Sequence, residues 1–328
     1  VMDEANVECH GNQGLSNNSS WITAMDDRTK RMVLRDRNHP SVIFWSLGNE
    51  CCGGSNFSTT YNTCKSLDSR LVHYEGAGSG ANYSDLGSNM YPKVSSVREN
   101  RSGLNGKPYF ICEYAHAMGQ AVGNLQEYWD VIEASNGILG GCIWDWVDQS
   151  FYDPARLVKG ERKSENGFNY WVSGYDYNST GGVGVGFQGN FVNNGLITPD
   201  RAWAGKLTEV KRVYQNAAFT DFNDGKLTLK NKFAFTNLSD YQLVWSISGR
   251  GEGESNLAHG AVKALQCKPG ETCVVEIPYD VNVPADKEII ITFKLKVKDK
   301  TAWANRAHVI AAQQFRLTTD AAANCPSG

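Results

Sequence analysis

The sequence predicts an α/β fold joined to an all-β fold: a partial (β/α)8 barrel, about six of the eight units, followed by an antiparallel β-sandwich. Three observations carry this. Up to about residue 217 short apolar runs alternate with charged, helix-like stretches, and beyond it the runs alternate apolar with polar at period two. Two early runs, residues 41–50 (SVIFWSLGNE) and 109–119 (YFICEYAHAMG), break off on a glutamate among polar residues and glycine. A strand buried on both faces reads as a near-continuous apolar run. A carboxylate at its C-terminal end stands at the mouth of an α/β barrel, where such proteins keep their chemistry.

Taken in order, residues 1–8 are strand-like, and residues 22–38 have a helical pattern that Pro40 must end. Residues 41–50 form the next strand, 56–73 a helix, 74–80 a strand and turn, and 86–91 a short strand. A helix near 94–100, a strand at 108–113, a helix at 124–134 and a strand at 141–147 follow. Residues 152–190, rich in Gly, Asn and Tyr without a period, read as a long loop over the mouth. A helix at 202–215 completes the alternation, which argues for parallel strands with crossover helices.

The second part has alternating strands at 226–235, 242–248, 272–279, 288–298 and 308–317. In the fourth, Ile291, Phe293, Leu295 and Val297 share one face and Lys294, Lys296 and Lys298 the other, the period of a half-buried antiparallel strand. The expected domains are therefore residues 1–217, residues 218–318, and a disordered tail at 319–328. Two barrel strands are wanting on the N-terminal side, so the chain reads as a piece of a longer protein whose other parts are partners of this one.

Bulk composition excludes some classes. Lys+Arg 32 against Asp+Glu 35 gives a net charge of -3 in 328 residues, so nothing favours nucleic acid or an anionic membrane as partner. No apolar run approaches the ~20 residues of a membrane span. Among nine cysteines, Cys267 and Cys273 bracket a Pro-Gly turn, a spacing that admits a local disulfide without requiring one.

Two glutamates on one mouth, Glu50 and Glu113, give the carboxylate pair of glycoside hydrolysis. Glu50 is then the general acid and Glu113 the nucleophile, with Asn49 donating to a sugar hydroxyl; the plain alternatives are a helix-capping glutamate and a structural carboxylate. Glu113 must be ionised and Glu50 protonated, which demands different environments, with Glu50 the less well served by positive charge. Glu8 and His10, two apart on a strand, face the same way and suit a magnesium ion completed by waters, although satisfied polar residues at a strand end fit the pattern too. Tyr91, Tyr114, Trp144, Trp146 and Phe191 crowd the same mouth, with His116 and Asn194 as donors to sugar hydroxyls. Trp146 reads better as filling, and Asp145 and Asp148 as residues that orient their neighbours.

DEANVECHG, RDRNHPSVIFWSLGNE, NMYPKV, ICEYAHAMGQ, GGCIWDWVDQS and FVNNGL, in this order, closely resemble the family 2 glycoside hydrolases of the bacterial lac β-galactosidase type. The likeness covers most of residues 1–215, and TAWANRAHVIAAQQFRL resembles the sandwich that follows the TIM barrel in that family. It implies Glu50 as acid/base, Glu113 as nucleophile and a Mg2+ site from Glu8, His10 and Glu50. It further implies Tyr91 beside the nucleophile, His116 on galactose hydroxyls, Trp144 as an apolar wall, and Na+ held by Asn194 and the Phe191 carbonyl. Residues 152–190 depart from the family's usual loop, and the family's other domains have no counterpart in the sequence, so the isolated piece is expected to be weakly active or inactive. Homo-oligomerisation fits the resemblance, as does a bacterial cytoplasm or periplasm. Two other readings stay open: a non-catalytic carbohydrate-binding or scaffolding piece, and a β-glucuronidase or β-mannosidase of the same family.

Overall fold

A computed structural model of the chain describes residues 1–75, 82–150, 192–249, 256–279 and 288–317. The chain divides into two compact units between Val210 and Lys211. The expected excursion at 152–190 and the tail at 319–328 lie outside the described residues.

In the first unit strands and helices alternate: β1 (Met2–Glu4), α1 (Ile22–Asp36), β2 (Phe44–Ser46), α2 (Ser55–Leu67), β3 (Leu71–His73), β4 (Gly87–Met90), α3 (Val94–Glu99), β5 (Tyr109–Tyr114), α4 (Leu125–Glu133) and β6 (Ile138–Ile143). The helix α5 (Gly205–Val213) spans the division. The six strands form two parallel three-stranded sheets, β1-β2-β3 and β4-β5-β6, the curved wall of a partial barrel; no closed barrel exists among the described residues.

Helix α1 buries Met25, Thr29, Met32 and Val33, at helical spacing on one face. It stops at Asp36, whose carbonyl accepts from the His39 amide at 2.9 Å just before Pro40. That face packs into a core with Trp45, Leu47, Phe57 and Tyr74, all fully buried. The Trp45 indole N–H meets Asp68 at 3.1 Å, and the Arg70 guanidinium lies 5.3 Å from its ring centroid.

The strand expected at 74–80 lies earlier, in β3; residues 76–80 fall outside the described residues. The helix α2 ends at Leu67 rather than running to residue 73, because the Asp68 carboxylate takes the Arg70 amide at 2.9 Å and turns the chain into β3. His73 on β3 is fully buried. The Ser46 hydroxyl donates to Glu4 at 2.7 Å and so accepts from His73 Nδ1 at 2.9 Å, while Ser88 donates to His73 Nε2 at 2.9 Å. Burial depresses the His73 pKa to about 4, which keeps the ring neutral, as this chain of bonds requires. Strands β3 and β4 belong to different sheets, and His73 and Ser88 tie them together.

The second unit has two antiparallel sheets. One is β11 (Thr272–Glu276), β8 (Lys226–Asn231) and β7 (Ala217–Asn223), the other β10 (Asn256–Ala261), β9 (Tyr241–Gly249), β12 (Ile289–Val297) and β13 (Val309–Arg316), each in that order. Alternate residues enter one core, with Leu227, Leu229, Leu243, Ile247, Ile291, Phe293 and Leu295 fully buried. Strand β8 ends earlier than the expected 235, because Asn231 is fully buried and turns the backbone. Its side-chain amide donates to the Thr236 and Cys267 carbonyls at 2.8 and 2.9 Å, and its side-chain oxygen accepts from Phe233 N at 2.9 Å. Cys267 and Cys273 are free thiols, and Cys267 donates to the Glu271 carbonyl.

Candidate functional site

Apolar strand residues fix where the polar ones emerge. The extended chain after β1 pairs once more with the chain after β2, Glu8 opposite Asn49. This places Glu8 and His10 beside Glu50. His10 Nδ1 stands 3.0 Å from Glu50 Oε2, and one potential ligand atom from each of Glu8, His10 and Glu50 lies within 4.8 Å of the others. Burial pushes the Glu8 carboxyl up, opposed by its bond to Asn49 and raised again by the charge of Glu50.

Glu113 sits on β5 opposite Met90 of β4, so Tyr91 emerges next to it. The Tyr91 amide donates to the Glu113 carbonyl at 2.7 Å, and its hydroxyl to Glu113 Oε2 at 2.8 Å. The Asn49 amide reaches Glu113 Oε1 at 3.5 Å, from β2's end. Glu113 is therefore held at both oxygens and is only 9% exposed. Three residues at or just past these strand ends, Glu50, Tyr91 and Ala115, have left-handed backbones, φ 47°, 46° and 46°. Such conformations are unfavourable for L-residues and persist where surrounding structure imposes them.

Glu113, expected to be the readily ionised member of the pair, has its pKa raised. Burial is the main cause, the Tyr91 bond opposes it, and the charges of Glu50 and Glu75 raise it further. The physical reason is that β5 carries Glu113 into the interior, whereas nearby charge alone guided the expectation. Burial and the neighbouring Glu113 charge likewise push the Tyr91 phenol up, so it remains a donor. Replacing that donor tests its part: Tyr91→Phe should move the acid limb of the pH–rate profile to higher pH, since the bond lowers Glu113's pKa, and should reduce kcat. An unmoved acid limb would show that Glu113 does not set it.

His116 packs near Tyr91, ring centroids 5.7 Å apart. Burial lowers its pKa, Asp145 opposes this, and Lys206 adds to it. The Lys206 ammonium, on α5, donates to the Ala117 carbonyl and so braces the turn that carries His116. Trp144 is half-buried, its carbonyl accepting from Ala117 N at 2.6 Å and its amide donating to Tyr114 O at 3.2 Å. Trp146 is 56% exposed, contrary to the filling role expected of it, because it lies at a bend past the end of β6. Asp148 accepts from Gly195 N at 2.7 Å and Asp145 from Gln149 at 3.2 Å, both as orienting groups.

Asn194 is fully buried, its carbonyl accepts from Asp145 N at 2.8 Å, and among the described residues neither polar atom of its side chain has a partner. An orphaned buried amide oxygen is the kind of donor a sodium ion seeks. Phe191, its expected companion, lies outside the described residues. Sequence reasoning missed Glu75, which follows β3 and accepts from the Glu50 amide at 3.2 Å. Its signal was present: a glutamate closing a short, largely apolar run, LVHYE, as Glu50 and Glu113 close theirs.

Residues 1–219 match the family described as "Glycosyl hydrolases family 2, TIM barrel domain", and residues 227–318 match "Beta-galactosidase, domain 4". The chain is 36% identical over 339 residues to a protein of Priestia megaterium named "Beta-galactosidase", covering 98% of the chain and 31% of that protein. It is 34% identical over 347 residues to another of that name from Photobacterium profundum, covering 99% and 32%. The chain thus spans about a third of the length of the curated relatives it matches. Among solved structures, a β-glycosidase from Bacteroides vulgatus aligns with 98% of the chain and 41% of its own at a TM-score of 0.40 and 13% identity.

Proposed function

Because the chain belongs to glycosyl hydrolase family 2, we propose that it carries the catalytic centre of a retaining β-galactosidase acting on terminal non-reducing β-D-galactose. The observation that supports this reading most is the pairing around Glu113. A buried carboxylate is held at both oxygens, by Tyr91 and by Asn49, the residue that precedes Glu50 in the chain.

In the first step Glu113 attacks the anomeric carbon and forms a glycosyl ester, while Glu50 gives its proton to the departing oxygen. In the second, Glu50 takes a proton from water as that water displaces Glu113. Retention requires the two carboxyl groups ~5–5.5 Å apart. Tyr91 and Asn49 keep Glu113 in one orientation, which spares the reaction the entropy of finding it. His116, as a neutral imidazole, and Asn49 serve as hydrogen-bonding groups for sugar hydroxyls, and Trp144 offers an apolar wall for the sugar's C–H face.

Two carboxylates and an imidazole from Glu8, His10 and Glu50, their ligand atoms within 4.8 Å, fit a magnesium ion completed by water. The ion would supply positive charge beside Glu50. Asn194 fits a sodium ion through its amide oxygen, which has no partner among the described residues; the family resemblance implies Phe191 as its companion.

The test uses the full-length protein that carries this chain and a panel of nitrophenyl β-glycosides. The galactoside should exceed the glucuronide and mannoside in kcat/KM by about 100-fold or more, the scale of a site that hydrogen-bonds its substrate's own hydroxyls. The first-formed product should be β-galactose, and chelation should lower the rate until Mg2+ is restored. A preference for another sugar, or inversion, would overturn the reading; indifference to chelation would remove the metal from it.

A further inference from the structure

We propose that Glu75 is a positioning residue for the acid/base, fixing the backbone of Glu50 through a hydrogen bond from its amide; this rests on the reading of Glu50 above. The amide of Glu50 lies beyond the last paired residue of β2, Ser46, and past the isolated pairing of Glu8 with Asn49. Its backbone has left-handed φ, 47°, a conformation that is unfavourable for an L-residue unless something holds it. Glu75 Oε2 accepts from this amide at 3.2 Å. A carboxylate acceptor makes such a bond stronger than a neutral one.

The topology explains why Glu75 is available. Strand β3 runs parallel to β2, with Ser46 beside His73, so the residues that follow both strands leave at the same end of the sheet. Tyr74 anchors the approach: it is fully buried, its ring lies 3.9 Å from that of Phe57, and its hydroxyl donates to the Cys52 carbonyl at 2.7 Å. Glu75 therefore starts from a rigid platform, and Cys52, just past Glu50, is held by the same segment. The carboxyl contact of the Glu50 side chain with His10, at 3.0 Å, fixes only its tip. Without Glu75 the tip would keep its partner while the backbone beneath it relaxed from the left-handed turn. A carboxyl displaced by about 1 Å loses much of its value as a proton donor.

The role separates from plain structural support by its dependence on the leaving group. In the full-length protein, Glu75→Ala should lower kcat/KM for alkyl β-galactosides by about 10- to 100-fold, part of the roughly 10²–10⁴ that a positioned acid contributes. For a dinitrophenyl β-galactoside, which leaves without a proton, the loss should stay within about 3-fold. Glu75→Gln keeps an acceptor oxygen in place and should restore both substrates to within about 3-fold of wild type. If the alanine variant does not fold, Glu75→Met keeps the length and removes the oxygen, and the same substrate split is expected. Equal losses on both substrates, no loss on either, or a glutamine variant as impaired as the alanine one would each overturn the proposal. Glu113→Gln abolishing turnover while Glu75→Ala matches wild type would sink the Glu75 role alone; a wild type that turned over no β-galactoside would sink both readings.

Discussion

Glu113→Gln, made in the full-length protein, should reduce β-galactoside turnover by about 10⁴-fold or more, the order seen when a covalent nucleophile is removed. Glutamine fits the same pocket and can still accept from Tyr91, so the fold around β5 stays intact and the loss is chemical. What disappears is the negative charge that makes the carboxylate oxygen nucleophilic enough to form the glycosyl ester. Intact-protein mass spectrometry after treatment with a 2-deoxy-2-fluoro-β-galactoside should show an adduct on the wild type and none on the variant. An adduct on the variant, or turnover within about tenfold of wild type, would move the nucleophile elsewhere.

The second large effect belongs to Glu50→Gln and differs in form. For alkyl galactosides kcat/KM should fall by about 10²–10⁴-fold, because a poor leaving group needs the proton. For dinitrophenyl galactosides kcat/KM should change little, while kcat and KM fall together as the ester accumulates without a base to activate water. Added azide needs no base, so it should raise kcat again and yield β-galactosyl azide. A variant that loses equally on all leaving groups, with no azide product, would mean that Glu50 is not the acid.

How far the sequence alone reaches is clear from individual residues. The runs that became β2 and β5 were legible because both faces of each are apolar, and the glutamates after or within them stood out for the same reason. Strand β3 was not: Leu71, Val72 and His73 continue the amphipathic spacing of α2, and only the Asp68 turn interrupts it. Glu75 was lost with that strand. The joining of Glu50 to Glu8 and His10 depends on β1 lying beside β2, a long-range pairing that local periodicity does not encode, and it was anticipated only through family resemblance. In the second unit, β12 announced itself through alternating Ile291, Phe293 and Leu295, whereas β10, at a sheet edge with no fully buried residue, carries little apolar signal. Trp146 was misjudged because size and apolarity favour burial on average, and a residue beyond a strand end escapes that average.

The left-handed kinks at Glu50, Tyr91 and Ala115 carry a consequence for the evolution of this mouth. Glycine would occupy each position with less strain, so a search for thermal robustness alone would drift toward glycine in place of the glutamate and the tyrosine. Only a requirement for the side chains themselves retains a carboxylate and a phenol there. The rim is thus a place where durability and reactivity pull the sequence in opposite directions, and selection for heat tolerance should erode catalysis there first.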